Sequence, residues 1–293
     1  MVAYSRDGTL IATAEGSDGA RVWDASTPGE QLTIPSPDSR ESRYPGLERL
    51  NKIETPLAVL LEPDREPKAR VFWTDFSADG RHLLTTHASG QVRVWDTKTW
   101  QVEQDFAVTS GEVRVARFSP DGSTILAGDT NGALYLWSLK ARAVAKILTS
   151  PISEKNAVTG IEFSPDGGTL ITSHVKASGP AVVIWGTAVW SAQERPGFLS
   201  AAFSPDGKWI AFGGSHLELA NALSFEPVRQ IQLPELTYAD LIGKSSLASD
   251  PTLGARANEK VSIVIEALSF SPDGTLLAAG CVDGTVRLVN VPQ

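Results

Sequence analysis

One cysteine, Cys281, among 293 residues leaves no internal disulfide and no multi-cysteine zinc or iron–sulfur site. Histidine is scarce as well. His82, His87, His174 and His216 fall at spacings that form no recognisable metal-ligand or triad set. Basic charge is short: 26 Lys and Arg face 34 Asp and Glu, a net charge of −8. That balance argues against nucleic-acid binding through a broad basic surface. No apolar run approaches the roughly 20 residues that span a bilayer, so no membrane insertion is expected. The first twenty residues, MVAYSRDGTLIATAEGSDGA, lack a basic start and an unbroken apolar core. No secretory signal is visible in them, and a cytoplasmic location is the expectation. There is no Gly-x-Ser-x-Gly elbow, and no glycine-rich loop followed by Lys-Ser or Lys-Thr. No cofactor is expected. What is present is ordinary globular composition, 42% hydrophobic and 20% charged.

Self-similarity organises the rest. A five-residue phrase recurs six times: Tyr4-Ser5-Arg6-Asp7-Gly8, Phe76 to Gly80, Phe118 to Gly122, Phe163 to Gly167, Phe203 to Gly207 and Phe270 to Gly274. Three of the intervals are near a period of about 40 residues, and two are longer by roughly 25 to 30. Pro presets φ for the second turn position, and Gly takes the positive φ that closes the turn. Each phrase therefore joins two strands of a hairpin. A short apolar strand follows each turn, such as Leu83-Leu84-Thr85 or Leu170-Ile171-Thr172. A second polar turn and a third strand come next. Four third strands end in Trp: Trp23, Trp95, Trp137 and Trp185. The last ends Leu288-Val289-Asn290, and the fifth is degenerate near Leu217 to Leu223.

With these residues in view, the chain resembles the WD-repeat β-propeller family over most of its length, two insertions excepted. The resemblance implies an all-β propeller of about six four-stranded blades in one domain, the last blade lacking its outer strand. It also implies blades that gain stability by packing on their neighbours. Only two repeats end in Trp-Asp, and no Gly-His pair precedes a first strand. The family's hydrogen-bonded set of Asp, His, Ser or Thr, and Trp therefore lacks its His. Asp18, Asp129 and Asp283 stand where its Asp belongs, and the third-strand Trp is expected to bond elsewhere. The ends leave two readings open: a six-bladed ring with a three-stranded closing blade, or a piece of a longer array.

The insertions cover about 35–68 and 234–260. In the first, either Gly29 to Ile34 or Leu57 to Leu61 could supply the fourth strand of blade one. Long loops on a rigid scaffold are where binding concentrates. Arg40, Arg43, Tyr44, Arg49 and Tyr238 are candidate partner contacts on these loops, with Trp73 beside the first. Interleaved Glu41, Glu48 and Glu54 make a solvated mixed-charge segment the simpler account of that arginine cluster. Trp100 and Trp190 are expected toward the outer rim, and Trp209 in the core.

The position before the turn-phrase aromatic holds Ala3, Asp75, Arg117, Glu162, Ala202 and Ser269. By the resemblance this position lines a central channel. Asp75, Arg117 and Glu162 then fall on consecutive blades, either as a structural ion-pair network or as a site for a cation or small polar ligand. The functional expectation is a non-catalytic scaffold for a protein partner. The alternatives are a ligand-binding or enzymatic propeller using the channel, and a periplasmic translocation-type propeller, whose repeats also carry a Phe-Ser-Pro-Asp-Gly turn. The partner and the oligomeric state are not readable from the sequence.

Overall fold

The computed structural model describes residues 2–14, 20–24, 71–108, 111–232, 235–237, 260–262, 264–282 and 285–292. Every regular element among them is a β-strand. The chain falls into two compact units, Met1–Thr149 and Ser150–Gln293.

The first unit holds three antiparallel sheets in chain order. Blade one is β1 (Val2–Tyr4), β2 (Leu10–Ala14) and β3 (Ala20–Asp24). Blade two is β4 (Val71–Phe76), β5 (His82–His87), β6 (Gln91–Asp96) and β7 (Val102–Ala107). Blade three is β8 (Val113–Phe118), β9 (Thr124–Asp129), β10 (Ala133–Ser138) and β11 (Ala143–Thr149). Both candidates for the fourth strand of blade one lie outside the described residues.

The second unit holds blade four, β12 (Asn156–Phe163), β13 (Thr169–Lys176), β14 (Gly179–Gly186) and β15 (Ser191–Pro196). Blade five is β16 (Phe198–Phe203), β17 (Trp209–Gly214), β18 (His216–Asn221) and β19 (Pro227–Gln232). The degenerate fifth third strand is thus regular. A separate ladder pairs β20 (Glu235–Thr237) with β21 (Lys260–Ser262) at the two ends of the second insertion. Among the described residues blade six holds three strands, β22 (Ile265–Phe270), β23 (Leu276–Cys281) and β24 (Val286–Asn290), as the sequence led one to expect.

The turn phrase builds the same clasp six times. Its glycine takes φ between 69° and 72° and donates its N–H to the serine carbonyl. The serine hydroxyl donates to the aspartate carboxylate at 2.5–2.7 Å. The aspartate also accepts the backbone N–H two residues on. The N–H that opens the returning strand donates to the serine oxygen. Each turn therefore satisfies most of its polar groups from within, and in two blades Thr97 and Thr187 add a hydroxyl bond to the Gly80 and Gly167 carbonyls.

A second repeated device went unread in the sequence. The first strands of blades two to six each carry a bulge near their start, between Val71 and Trp73, Val113 and Val115, Val158 and Gly160, Phe198 and Ser200, and Ile265 and Ala267. The bulge lets the buried residue before it and the turn-phrase aromatic after it both reach the core.

Blades pack by their aliphatic faces. In the first unit Val92, Val94 and Phe106 of blade two meet Val113, Phe118 and Ile125 of blade three. Ala12 and Val22 of blade one join Phe76, Leu83, Trp95 and Trp100 of blade two. In the second unit Ile171, Val182 and Ile184 of blade four meet Phe198, Phe203, Ile210 and Phe212 of blade five. Ala211, Leu217 and Leu219 of blade five meet Ile265, Leu277, Ala279 and Cys281 of blade six. The second strands β5, β9, β13 and β17 are buried on both faces in unbroken runs, while the fourth strands β11 and β19 are mostly exposed.

Candidate functional site

Two of the three channel candidates come together. Asp75 stands directly before Phe76, the last residue of β4, and Arg117 directly before Phe118, the last residue of β8. Arg117 Nη1 donates to Asp75 Oδ1 at 3.3 Å, and the backbone N–H of Phe118 donates to Oδ2 at 3.0 Å. The guanidinium also lies over the Trp73 ring, 5.4 Å from its centroid. Burial pushes the Asp75 carboxyl up to about 6, with Arg117 pulling the other way. Glu162 holds the corresponding place on β12 in the second unit. Trp73 is half-buried against the core between blades two and three. Arg40, Arg43, Tyr44, Arg49 and Tyr238 lie outside the described residues.

The histidines correct one expectation. The indole N–H of Trp185 does not bond elsewhere: it donates to Thr172 Oγ1 of the same blade at 2.9 Å. Thr172 Oγ1 lies 2.7 Å from His174 Nε2, and His174 Nδ1 lies 2.7 Å from Asn156 Oδ1. Asn156 Nδ2 continues to the Glu154 carbonyl at 2.9 Å. The network assigns a neutral His174 with its proton on Nδ1 and the Thr172 hydroxyl donating to Nε2. Blade two repeats the arrangement: Trp95 Nε1 to Thr85 Oγ1 at 3.0 Å, and Thr85 Oγ1 to His87 Nε2 at 2.9 Å. The histidine thus enters from the end of the second strand rather than ahead of the first. The readable signal was Thr-x-His, at 85–87 and 172–174, since residues two apart on a strand share a face.

Blade three departs from this, as expected. Trp137 Nε1 donates to Gln104 Oε1 on the neighbouring β7 at 3.0 Å, and its ring stacks on Phe106. Asp129 takes the histidine's position and accepts the N–H groups of Asn131 and Ala133, which closes the turn to β10. A further buried pair joins blades four and five. Arg195 Nη2 donates to Glu218 Oε1 at 2.5 Å, Gln230 Nε2 donates to the other oxygen at 2.9 Å, and the Arg195 guanidinium lies 4.4 Å from the Phe212 ring centroid.

The turns from third to fourth strand carry the other notable geometry. Trp100, Arg142, Trp190 and Phe225 occupy equivalent places there, all with φ of 53–56°. Non-glycine residues seldom adopt that region. Trp100 is buried against Phe76, Leu83 and Trp95, and Phe225 packs on the blade-four/five core. Trp100 is therefore a core residue of a turn rather than a rim residue, whereas Trp209 is half-buried at the edge of the blade-five/six core. Beside Trp190 and Phe225, the turn tips Val189 and Leu223 are 78% and 87% exposed. Among the described residues no group of three His, Cys, Asp or Glu is placed to hold a metal ion. Among the described residues no helix is long and apolar enough to cross a membrane.

Comparison with known proteins agrees with this geometry. The repeat family described as WD domain, G-beta repeat, matches residues 65–96, 102–138 and 259–290. The serine-threonine kinase receptor-associated protein of Gallus gallus is 23% identical over 97% of this chain, which spans 64% of that protein's length. WD repeat-containing protein 90 of Homo sapiens is 30% identical over 73% of this chain but only 12% of its own. Transducin beta-like protein 3 of Bos taurus is 36% identical over 31% of this chain and 11% of its own.

Proposed function

The chain belongs to the WD-repeat proteins, and from that premise we propose that it is a non-catalytic platform on which a protein partner docks in the cytoplasm. One observation carries the reading. Adjacent third-to-fourth-strand turns of blades four and five hold large aliphatic tips, Val189 and Leu223, almost wholly in water. The Leu223 tip stands on a turn fixed by internal bonds, Asn221 Oδ1 accepting the N–H groups of Leu223 and Ser224. Exposed aliphatic side chains on fixed backbone meet a partner at little ordering cost. The insertions at 35–68 and 234–260, with Arg40, Arg43, Tyr44, Arg49 and Tyr238, and Trp73 beside the first, are proposed as further partner contacts.

The Asp75–Arg117 pair does not favour the ligand-binding alternative. Both Asp75 oxygens are engaged, one by the guanidinium and one by the Phe118 N–H, which suits a structural tie between blades.

Affinity capture from native cells tests the platform. Intact protein is compared with Val189→Ser/Leu223→Ser and with a form lacking 35–68 and 234–260, each first shown to melt like the parent. Proteins held by the intact chain and lost from either variant support the reading. Capture of nothing above background by well-folded intact protein defeats it.

A further inference from the structure

Two polar side-chain atoms of blade two are sealed in the interior without a hydrogen-bond partner, Trp73 Nε1 and Thr86 Oγ1. Thr86 as a whole is 0% exposed. The two residues are register partners on β4 and β5. Register partners point to the same face, with Cβ atoms about 5 Å apart. Val92, which pairs with Thr86 from β6, packs with Trp73 in the core between blades two and three, so this face looks toward blade three.

The equivalent pairs beside the other bulges are built differently. They are Val115 with Gly128, Gly160 with Ser173, Ser200 with Gly213, and Ala267 with Gly280, each containing one glycine. Blade five shows what its glycine does. A Cβ on Gly213 would come within 2.6 Å of Ile265 Cγ2, so the residue before the next blade's bulge seats directly over the glycine. Blade two carries a real Cβ at that place, on Thr86. Val113, the matching residue of blade three, cannot seat as deeply there. Neither member of the blade-two pair is glycine, and both bring a hydrogen-bonding atom to the point where glycine elsewhere lets two blades close.

A buried donor or acceptor left unpaired bears its full desolvation cost, and native interiors keep few such groups. The neighbouring ion pair does not relieve these two. The Arg117 guanidinium lies over the Trp73 ring, and a guanidinium cannot accept an indole proton. Asp75 is engaged by Arg117 and by the Phe118 N–H. Water accepts the indole N–H and bonds the hydroxyl, and it is the smallest molecule that does both. An anion would add an unpaired buried charge beside an ion pair that is already neutral. We propose that blades two and three enclose an internal water held by Trp73 Nε1 and Thr86 Oγ1, as a fixed part of the fold. Asp75 stands two residues from Trp73 on β4, so the water and the Asp75–Arg117 tie share one face. The inference is independent of the partner platform.

A crystal structure of the intact 293-residue chain, at a resolution that orders internal water, tests this directly. Density within about 3.2 Å of both atoms is expected. Ordered water elsewhere in the interior, with none touching both atoms, overturns the proposal. Thermal melts give a second reading by sign. Thr86→Val keeps the shape and removes the hydroxyl. If the hydroxyl holds the water, the melting temperature should fall by about 2–4 °C. A rise would mean a dry, unpaired hydroxyl and overturns the proposal. In a Trp73→Phe background the same change should produce less than half that fall, because the water has already lost its donor. An undiminished fall would mean that the two groups act separately, which also overturns a shared water. Thr86→Ser, which keeps the hydroxyl, should keep the water in its crystal structure.

Discussion

His174 Nε2 lies 2.7 Å from Thr172 Oγ1 inside blade four, at a point with no access to water. Burial, with Lys176 adding to it, lowers the imidazole's pKa from 6.5 to about 4. A group whose folded pKa is depressed contributes stability that is complete above its unfolded value and is lost as pH falls through the folded one. Between pH 6.5 and about 4 the unfolded chain takes up a proton that the folded chain refuses. The parent should lose about 3 kcal/mol over that window from this group. In His174→Gln that part of the pH dependence should vanish. Denaturant unfolding of both proteins at a series of pH values checks this, and equal slopes would show that His174 titrates freely in the fold.

The threonines of the two relays are expected to matter more than their size suggests. Thr172→Val keeps the shape but removes the acceptor for Trp185 and the donor to His174. Two buried polar groups lose their partner at once, at about 1–3 kcal/mol each. Thr85→Val should behave alike in blade two, through Trp95 and His87. A double-mutant cycle with Trp185→Phe should show coupling beyond additivity, because both changes break one network.

The clasp in each turn has an acid limit. The Ser204 hydroxyl, with the Lys208 N–H, lowers Asp206 to about 2. Its contribution is present above the unfolded carboxylate range and fades as pH falls through about 2. The group is exposed, so solvent screening keeps its contribution to stability small. Five more aspartates, Asp7, Asp79, Asp121, Asp166 and Asp273, are lowered in the same direction, first by their turn serine. Carbon-detected NMR titration should find all six below ordinary aspartate, and Ser204→Ala should return Asp206 toward it.

Equivalent left-handed turn residues should respond to glycine with opposite signs. Arg142 has φ of 53°, an exposed side chain and a surface ion pair with Glu103 at 3.7 Å. Arg142→Gly relieves the backbone and loses little, so it should stabilise by about 0.5–1 kcal/mol. Trp100 has φ of 55° but is buried against Phe76, Leu83 and Trp95. Trp100→Gly gains the same relief and loses an aromatic from the core, a net cost of about 2–3 kcal/mol. Thermal melts of the two variants test whether packing holds the tryptophan in its strained place.

What the sequence made legible follows from where its signals are local. The turn phrase fixes six hairpins because Ser, Asp and Gly act within six residues of chain, so the strand order and the three described strands of the sixth blade could be read directly. The pairing of Asp75 with Arg117 could be read as well, because both precede the same turn aromatic in successive repeats. The histidine relays were missed because the expected histidine was sought ahead of the first strand, while His87 and His174 arrive from the end of the second. The bulges and the left-handed turn residues carry no residue-type signature: Trp, Arg and Phe at those turns are chosen by what they pack on.

Arg117 gives the sharpest test of how the first strands are tied. Asp75 sits in a site that raises its carboxyl to about 6, burial outweighing the guanidinium. A raised folded pKa contributes stability that is complete below the unfolded value, near 4, and is lost as pH rises through about 6. At neutral pH the carboxylate is charged and depends on Arg117 and the Phe118 N–H. Arg117→Met keeps the aliphatic stem over Trp73 but leaves a buried carboxylate facing no charge, so it should cost about 3–5 kcal/mol at pH 7. The cost should shrink as pH falls, because a protonated Asp75 needs no cation. Asp75→Asn in the same background should recover part of the loss at pH 7 and little at pH 5. Denaturation of the parent, the single variants and the double variant at both pH values separates the accounts. A pH-independent cost for Arg117→Met would mean that the arginine acts through its packing on Trp73 and not through its charge.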